Sequence, residues 1–167
     1  AGALELGVEP DAAIDLLPHL RLPAGRFESF EMLGGWRIIY DAYNANASGM
    51  IAALDALGME RPKRAIAVLG SMAELGSESA QLHEEVGAHA ARRAGVLLVS
   101  GDYADAMARG AESAGLSGAS LVRVCSNEAA AHWLRRHARE GDVVLLKGSR
   151  KYRLEEILAQ LDRPVTS

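Results

Sequence analysis

Residues 36–50 read WRIIYDAYNANASGM, and this stretch contains the unit that decides the fold. A strand-length apolar run, Trp36–Tyr40, leads into a polar loop that begins at Asp41, and a helical spacing of apolar residues starts at Met50. Apolar runs of similar length recur at Ala65–Leu69, Val96–Val99, Leu121–Val124 and Val143–Leu146. Strands that are apolar on both faces and alternate with helices are typical of a parallel α/β sheet.

A second strand precedes this unit. Residues Phe27–Leu33 and Trp36–Tyr40 flank Gly34-Gly35, which predicts a β-hairpin around a two-glycine turn. We therefore expect an α/β three-layer sandwich with about six strands, five of them parallel and one antiparallel from the hairpin. Helical spacings of apolar residues predict flanking helices, including an alanine-rich one from about Tyr103 to Ala114.

The first 25 residues differ from the rest. Their short helical spacings are interrupted by Gly7 and Pro10, and Pro18 and Pro23 stiffen the connection to the predicted hairpin. They resemble the tail of a larger unit or a small helical appendage. The expected division is thus a tail and linker over residues 1–25 and one domain over residues 26–167.

Composition narrows the class of protein. The 167 residues are 49% apolar and 24% charged, with a net charge of −4, which indicates a globular protein without a broad basic surface for nucleic acid. The single cysteine, Cys125, excludes an internal disulfide, and its position after an apolar run predicts burial. We expect a cytoplasmic protein, because no segment has the length of a membrane span or the pattern of a signal peptide.

Polar residues collect where the predicted strand Trp36–Tyr40 ends. Asp41 could accept hydrogen bonds from ribose hydroxyls, and the carboxamides of Asn44 and Asn46 can both donate and accept. In parallel sheets, ligands bind at this carboxyl edge. The alternative is that Asp, Asn and Ser are ordinary loop and capping residues, with Ser48 as the candidate N-cap of the following helix.

Two further loops come after predicted strands. Residues 70–78 form a loop that is bracketed by glycines and followed by His83, and residues 147–151 read Lys-Gly-Ser-Arg-Lys. The first could hold a ligand and the second could bind an anion. The alternatives are a hydrogen-bonded structural histidine and a solvated basic edge.

Several catalytic motifs are absent. The sequence contains no Walker A loop, no Gly-x-Gly-x-x-Gly and no Gly-x-Ser-x-Gly elbow. His83-Glu84-Glu85-Val86-Gly87 departs from a zinc-protease helix at its last position, where glycine replaces the second histidine. We therefore assign no catalytic residue and no metal ligand in this chain.

Read together, the loops resemble one family, the Mur ligases. Asp41-Ala-Tyr-Asn-Ala-Asn46, with Ser48 and Met50, resembles the Asp-x-Tyr-Asn-Ala-Asn-Pro-x-Ser-Met signature of the members that add D-alanyl-D-alanine. Residues 70–76 resemble the family's Gly-Asp-Met-x-Glu-Leu-Gly loop, and residues 144–150 resemble its Val-Leu-Val-Lys-Gly-Ser-Arg strand end. Residues 23–28 are similar to the segment that closes the central domain with an arginine.

The resemblance implies a fold and a function. Full-length members have an N-terminal domain for the UDP-sugar peptide, a central P-loop ATPase domain and a Rossmann-like C-terminal domain, which would be this chain. They couple ATP, with Mg²⁺ held mainly by the central domain, to amide formation between UDP-MurNAc-tripeptide and D-Ala-D-Ala through an acyl phosphate. The expected partners are these small molecules, with no nucleic acid, no membrane span and a monomeric protein. The fragment alone would be inactive.

The same resemblance implies site residues. It places Arg26 at the nucleotide phosphates, Asp41 at the ribose, and Tyr43, Asn44 and Asn46 along the adenosine. It assigns five residues from the other two loops to the acceptor dipeptide: Glu74, His83, Lys147, Ser149 and Arg150.

Departures from the family pattern keep two alternatives open. Ala47 stands where the family has proline, Gly49 separates Ser48 from Met50 where the family pattern runs directly from serine to methionine, and Ser71 stands where the family has aspartate. The chain could belong to another Mur or folate-type ligase, although those typically carry histidine in the first motif. It could also be a binding module that retained the fold without the chemistry.

Overall fold

The computed structural model describes residues 24–161 and the isolated positions 9, 11 and 15, so most of the predicted tail over residues 1–25 lies outside the described residues. The strands are β1 (Glu28–Glu31), β2 (Arg37–Asp41), β3 (Arg64–Gly70), β4 (Val96–Ser100), β5 (Leu121–Arg123) and β6 (Asp142–Lys147). The helices are α1 (Ala47–Met59), α2 (Ser79–Arg93), α3 (Ala104–Ser113), α4 (Asn127–His137) and α5 (Glu155–Ala159). Short 3₁₀ helices lie at Gly76–Glu78, Gly118–Ser120 and Arg150–Tyr152.

All six strands form one sheet in the order β1-β2-β6-β3-β4-β5. Only β1 and β2 pair in the antiparallel direction, and the remaining neighbours are parallel. The expected five parallel strands and one antiparallel hairpin strand are confirmed. Because β6 lies between β2 and β3, the last strand along the described residues occupies the centre of the sheet.

The core is divided into two layers by the sheet. Ile39, Leu69 and Leu145 point to the side covered by α1, α2 and α3. Their chain neighbours Ile38 and Leu146 point to the other side, which α4 and α5 cover. Successive strand residues face opposite sides of a sheet, so strands covered on both faces are apolar throughout. The predicted three-layer sandwich is confirmed.

The hairpin turn depends on its two glycines. Gly34 and Gly35 have φ values of +96° and +75°, a region that residues with a Cβ rarely adopt. The backbone N–H of Met32 donates to the carbonyl oxygen of Trp36 at 2.9 Å and closes the turn. Glycine is therefore required at both positions for β1 to fold back onto β2.

The structure corrects the prediction for Cys125. The residue is exposed, because β5 ends at Arg123 and the chain has left the sheet two residues later. An apolar run continued to Val124 in the sequence, but only its first part lies within the sheet. Within the described part of the chain, no helix is long and apolar enough to cross a membrane.

Candidate functional site

Three loops meet at the carboxyl edge of the central strands. The first loop (residues 42–46) follows β2, the second loop (residues 71–75) follows β3, and the third loop (Gly148 and Ser149) follows β6. Because β6 lies between β2 and β3, the third loop separates the other two. The strand order thus brings together three segments that are far apart in the sequence.

An ion pair joins the ends of β2 and β6. Asp41 and Lys147 are aligned as the last residues of these two parallel strands. The Nζ atom of Lys147 lies 2.6 Å from Oδ2 of Asp41, and the lysine is only 4% exposed. Adjacent strand ends at equal height make this contact possible across 106 positions of sequence.

A polar cleft of about 220 Å³ opens beside this pair. It is lined by Arg26, Asp41, Tyr43, Asn44, Asn46, Gly49 and Lys147. All five residues that the sequence placed on the nucleotide side therefore surround a single opening. Lys147, expected on the acceptor side, lies in the same wall.

The two asparagines of the first loop use their carbonyl oxygens locally. Oδ1 of Asn44 accepts from the backbone N–H of Ala45 at 2.8 Å, and Oδ1 of Asn46 accepts from the N–H of Gly49 at 2.7 Å. Neither side-chain NH₂ group donates a hydrogen bond to another described residue. Both asparagines therefore have donors available beside the cleft.

Asn46 is also the N-cap of α1. Its extended backbone (φ −132°, ψ 165°) and its bond to the N–H of Gly49 meet the requirements of a cap. The prediction of Ser48 as the cap was wrong. Ser48 lies inside the first turn, where its hydroxyl donates to Oδ1 of Asn46 at 3.1 Å.

Tyr43 carries two guanidinium groups on an exposed ring. The Cζ atom of Arg26 lies 4.7 Å from the ring centroid and that of Arg150 lies 5.7 Å from it. Tyr43 is 43% exposed. Cation–π contacts of this kind orient arginine side chains without neutralising them. The structure therefore brings Arg150, expected on the acceptor side, to the first loop.

A second cleft of about 420 Å³ also has Tyr43 in its wall. Its lining comprises Ala24, Gly25, Glu28, Tyr40, Ala42, Tyr43, Arg150 and Glu155. Burial and the carboxylate of Glu155, whose Oε2 accepts from the phenol at 3.3 Å, raise the pKa of Tyr40 to about 12. This phenol therefore stays protonated at neutral pH. The sequence does not reveal this contact, because a tyrosine within an apolar strand gives no sign that its hydroxyl will donate to a carboxylate 115 positions away.

His83 on α2 is buried behind the second loop and accepts a hydrogen bond from its backbone. His83 is 0% exposed, its Nε2 accepts from the N–H of Met72 at 2.8 Å, and its ring stacks on Tyr103. A backbone N–H can only donate, so Nδ1 carries the proton and donates to the carbonyl oxygen of Ser79 at 2.5 Å. Burial lowers the pKa of His83, against a smaller opposing effect of the Ser79 hydrogen bond. The histidine is thus a neutral structural residue, whereas Glu74 on the same loop is exposed.

The second and third loops are tied to each other. The backbone N–H of Ser149 donates to the carbonyl oxygen of Ser71 at 3.2 Å. Gly148 packs against Gly70 so closely that a Cβ atom on Gly148 would lie 2.9 Å from the Cα of Gly70. Ser149 is largely buried, and its Oγ accepts from the N–H of Lys151 at the start of a 3₁₀ turn. The described residues contain no group of three or more His, Cys, Asp or Glu side chains that could hold a metal ion.

The fold and the position of the cleft place the chain in the class of Rossmann-like α/β domains. In this class, ligands bind at the carboxyl edge of a mainly parallel sheet. Within this class, the chain belongs to the Mur ligase family. Residues 25–150 match the family model described as Mur ligase, glutamate ligase domain. The family expected from the three loop motifs is therefore confirmed.

Known relatives agree with this assignment. Over 131 residues the chain is 40% identical to the UDP-N-acetylmuramoyl-tripeptide–D-alanyl-D-alanine ligase of Mycobacterium leprae. The match covers 69% of this chain and 25% of that protein. MurF from Acinetobacter baumannii superposes with a TM-score of 0.78 at 27% identity, covering 95% of this chain and 34% of that one. MurF ligase from Thermotoga maritima in complex with ADP gives a TM-score of 0.75 at 29% identity over 95% and 34% of the two chains. The chain thus spans a quarter to a third of the length of these relatives.

Proposed function

We propose that this chain is the C-terminal domain of an ATP-dependent amide ligase that adds D-alanyl-D-alanine to UDP-N-acetylmuramoyl-tripeptide in the synthesis of the peptidoglycan precursor. The observation that carries the proposal is the cleft in which Arg26, Asp41, Tyr43, Asn44 and Asn46 meet. The name of the Mycobacterium leprae relative and the ADP complex of the Thermotoga maritima relative support it. Residues 1–25 would then be the tail of the central ATPase domain, and residues 26–167 the C-terminal domain.

The proposed reaction has two steps. The γ-phosphoryl group of ATP moves to a carboxylate oxygen of the tripeptide, which yields an acyl phosphate and ADP. The amine nitrogen of D-alanyl-D-alanine then attacks the acyl carbon, the carbon–nitrogen bond forms, and inorganic phosphate leaves as the amine loses a proton. Mg²⁺ would neutralise the phosphate charges and would be held mainly by the central domain.

The residues of this chain bind and orient the nucleotide in that scheme. Asp41 accepts hydrogen bonds from ribose hydroxyls, and the NH₂ groups of Asn44 and Asn46 donate to the nucleoside. Arg26 is exposed beside the cleft and supplies a permanent charge with a fixed set of donors, which suits a phosphoryl group that gains negative charge. None of these groups forms or breaks a bond, so the domain contributes positioning and closure of the site.

The acceptor side involves the second and third loops. We propose that Glu74 and Ser149 face the dipeptide, with His83 holding the second loop behind them and with Arg150, whose guanidinium lies over Tyr43, at the boundary between the dipeptide and the nucleotide. The N–H of Ser149 is bonded to Ser71, so these two loops would move as one unit when the site closes. A dipeptide amine and carboxylate would find both an acidic and a basic side chain there.

The test is an assay of the complete gene product. We expect release of ADP and phosphate that requires both UDP-N-acetylmuramoyl-tripeptide and D-alanyl-D-alanine, and no release by the 167-residue chain alone. Turnover by the isolated chain would overturn the proposed division of labour. Turnover only with other amino acids or with folate and glutamate would identify a different ligase, and binding without turnover would identify a binding module.

Asp41→Ala in the complete enzyme tests the cleft directly. A lost hydrogen bond to a charged group is worth about 1.5–3 kcal/mol, so the KM for ATP should rise by roughly tenfold or more. Asp102→Ala is the matched control, because Asp102 is an exposed carboxylate at the end of another strand, paired with Lys151. An unchanged KM for ATP in Asp41→Ala would remove this residue from the ribose site.

A further inference from the structure

Lys147 has an unusual position for a lysine at a ligand site. Its side chain is 5% exposed, although it lines the cleft beside Asp41. Its Nζ atom lies 2.6 Å from Oδ2 of Asp41, 3.2 Å from the carbonyl oxygen of Asp41 and 3.3 Å from the carbonyl oxygen of Asn44. All three oxygens belong to the end of β2 and the first loop.

These contacts use every donor that the lysine has. An ammonium group carries three N–H bonds and no acceptor. Three oxygens around Nζ account for all three N–H bonds, so none remains for a phosphate or a carboxylate of a ligand. A contact between Lys147 and the acceptor dipeptide would require the loss of one of these internal bonds.

The same contacts determine which part of Asp41 faces the cleft. Lys147 holds Oδ2, whereas Oδ1 accepts no hydrogen bond from another described residue, and the Asp41 side chain is 21% exposed. The bond to the carbonyl oxygen of Asn44 also fixes the path of the first loop. Lys147 therefore sets both the orientation of the carboxylate and the shape of the loop that carries Tyr43 and Asn44.

We infer that Lys147 is a positioning residue for the nucleotide, which acts through Asp41 and the first loop and does not contact the acceptor dipeptide. This inference rests on the proposed function and changes one of its assignments, since the family resemblance placed Lys147 on the acceptor side. A charge that is buried and fully paired by groups of the protein itself preorganises a site, because the carboxylate need not be reoriented on binding.

The experiment compares ATP with 2′-deoxy-ATP and 3′-deoxy-ATP in the complete enzyme. The wild type should prefer ATP, because Asp41 accepts from the ribose hydroxyls. In Lys147→Met we expect the KM for ATP to rise about tenfold, which corresponds to 1.4 kcal/mol, and the preference over the deoxynucleotides to fall towards one. The KM for D-alanyl-D-alanine should not change. Lys151→Met is the matched control, because Lys151 is exposed and its ion pair is with Asp102, away from the first loop.

Two further variants separate positioning from general loss of structure. In Asp41→Asn/Lys147→Met, the rise in the KM for ATP should be smaller than the product of the two single-variant rises, because part of the effect of Lys147 passes through the Asp41 carboxylate. Lys147→Arg should keep the charge but not restore the preference, since a planar guanidinium cannot direct donors to three oxygens around one point. If Lys147→Met does not fold, Lys147→Arg supplies the same comparison.

The outcomes distinguish this inference from the proposed function. A wild-type enzyme without any preference for ATP over the deoxynucleotides contradicts the ribose assignment of Asp41. A wild-type preference that Lys147→Met and Lys147→Arg retain, or a raised KM for D-alanyl-D-alanine in these variants, overturns the role given to Lys147. Equilibrium binding of ADP and 2′-deoxy-ADP gives the same ratios without turnover, so the comparison holds for a protein that lacks ligase activity.

Discussion

The imidazole of His83 accepts a hydrogen bond from the backbone N–H of Met72 across 2.8 Å, at a position closed to solvent. This bond requires an unprotonated Nε2. Protonation of Nε2 would place its N–H against the backbone N–H of Met72, so that two donors would face each other, and it would bring a positive charge into a buried site. The second loop, which begins at Ser71, is therefore stable in this form only while His83 is neutral.

The stability of the protein should consequently fall on acidification. Burial lowers the pKa of His83 below its ordinary value of 6.5 in the folded state. Below pH 6.5, the unfolded chain binds a proton that the folded chain does not bind until the lower pKa is reached, so the free energy of unfolding decreases with falling pH. The slope from this residue is at most about 1.4 kcal/mol per pH unit.

Chemical denaturation between pH 7.5 and pH 5 measures this slope. His83→Gln should be less stable than the wild type at pH 7.5 but should lose less stability as the pH falls. His132→Gln, at an exposed position on α4, should keep the wild-type slope. An identical slope in His83→Gln and the wild type would show that acid sensitivity arises elsewhere.

Glycine at position 87 should be required for the packing of α2 on α3. A Cβ atom at Gly87 would lie 1.9 Å from the carbonyl oxygen of Met107, so the helices would have to separate. We expect Gly87→Ala to cost about 2–3 kcal/mol in the free energy of unfolding. Gly58→Ala on α1 is the control, because its Cβ would meet only the Arg93 side chain at 3.5 Å. That variant should gain about 0.5–1 kcal/mol from helix propensity, and equal effects at the two sites would contradict the prediction.

The N-cap of α1 offers a test that distinguishes two neighbouring residues. Asn46→Ala should reduce the free energy of unfolding by about 1 kcal/mol, because the N–H of Gly49 loses its acceptor. Asn46→Ser should retain most of this stability, since serine is also a strong cap. Ser48→Ala should change stability by no more than about 0.5 kcal/mol. A larger loss in Ser48→Ala than in Asn46→Ala would restore the cap predicted from the sequence.

Under the proposed function, we expect Tyr43 to act on the nucleotide through its ring and not through its hydroxyl. Tyr43→Phe keeps the surface on which Arg26 and Arg150 lie, whereas Tyr43→Leu removes it. Exposed cation–π contacts are worth about 0.5–1 kcal/mol, so Tyr43→Leu should weaken ATP binding by about twofold to fivefold in the complete enzyme. Isothermal titration would measure this loss. A similar loss in Tyr43→Phe would show that the phenol itself binds the ligand.

Much of the fold could be read from local patterns. Runs such as Ala65–Leu69 are apolar at every position because both faces of the sheet are covered, and Gly34-Gly35 permits the backbone angles of the turn. The position of Cys125 could not be read in this way. The length of the apolar run did not reveal that the chain leaves the sheet after Arg123.

The candidate site was predictable in its components but not in its contacts. The motif at residues 41–46, with Arg26 ahead of it, identified the five side chains that now line one cleft. His83 and Lys147 also belong to these motifs, yet their hydrogen bonds show that they hold the second and first loops. Polar residue types at strand ends indicate that a ligand can bind, and do not indicate which polar atoms the protein itself uses.

The sequence by itself determined the strands, the helices, the hairpin and the family, because strand and helix periodicity and turn chemistry depend on residues close together in the chain. Only the tertiary structure decided that β6 inserts between β2 and β3 and sets Lys147 against Asp41. Strand order depends on how the helices pack on both faces of the whole sheet, and no local pattern contains it. Asp41 and Lys147 are 106 positions apart in the sequence, and for that reason only the folded chain identifies them as partners.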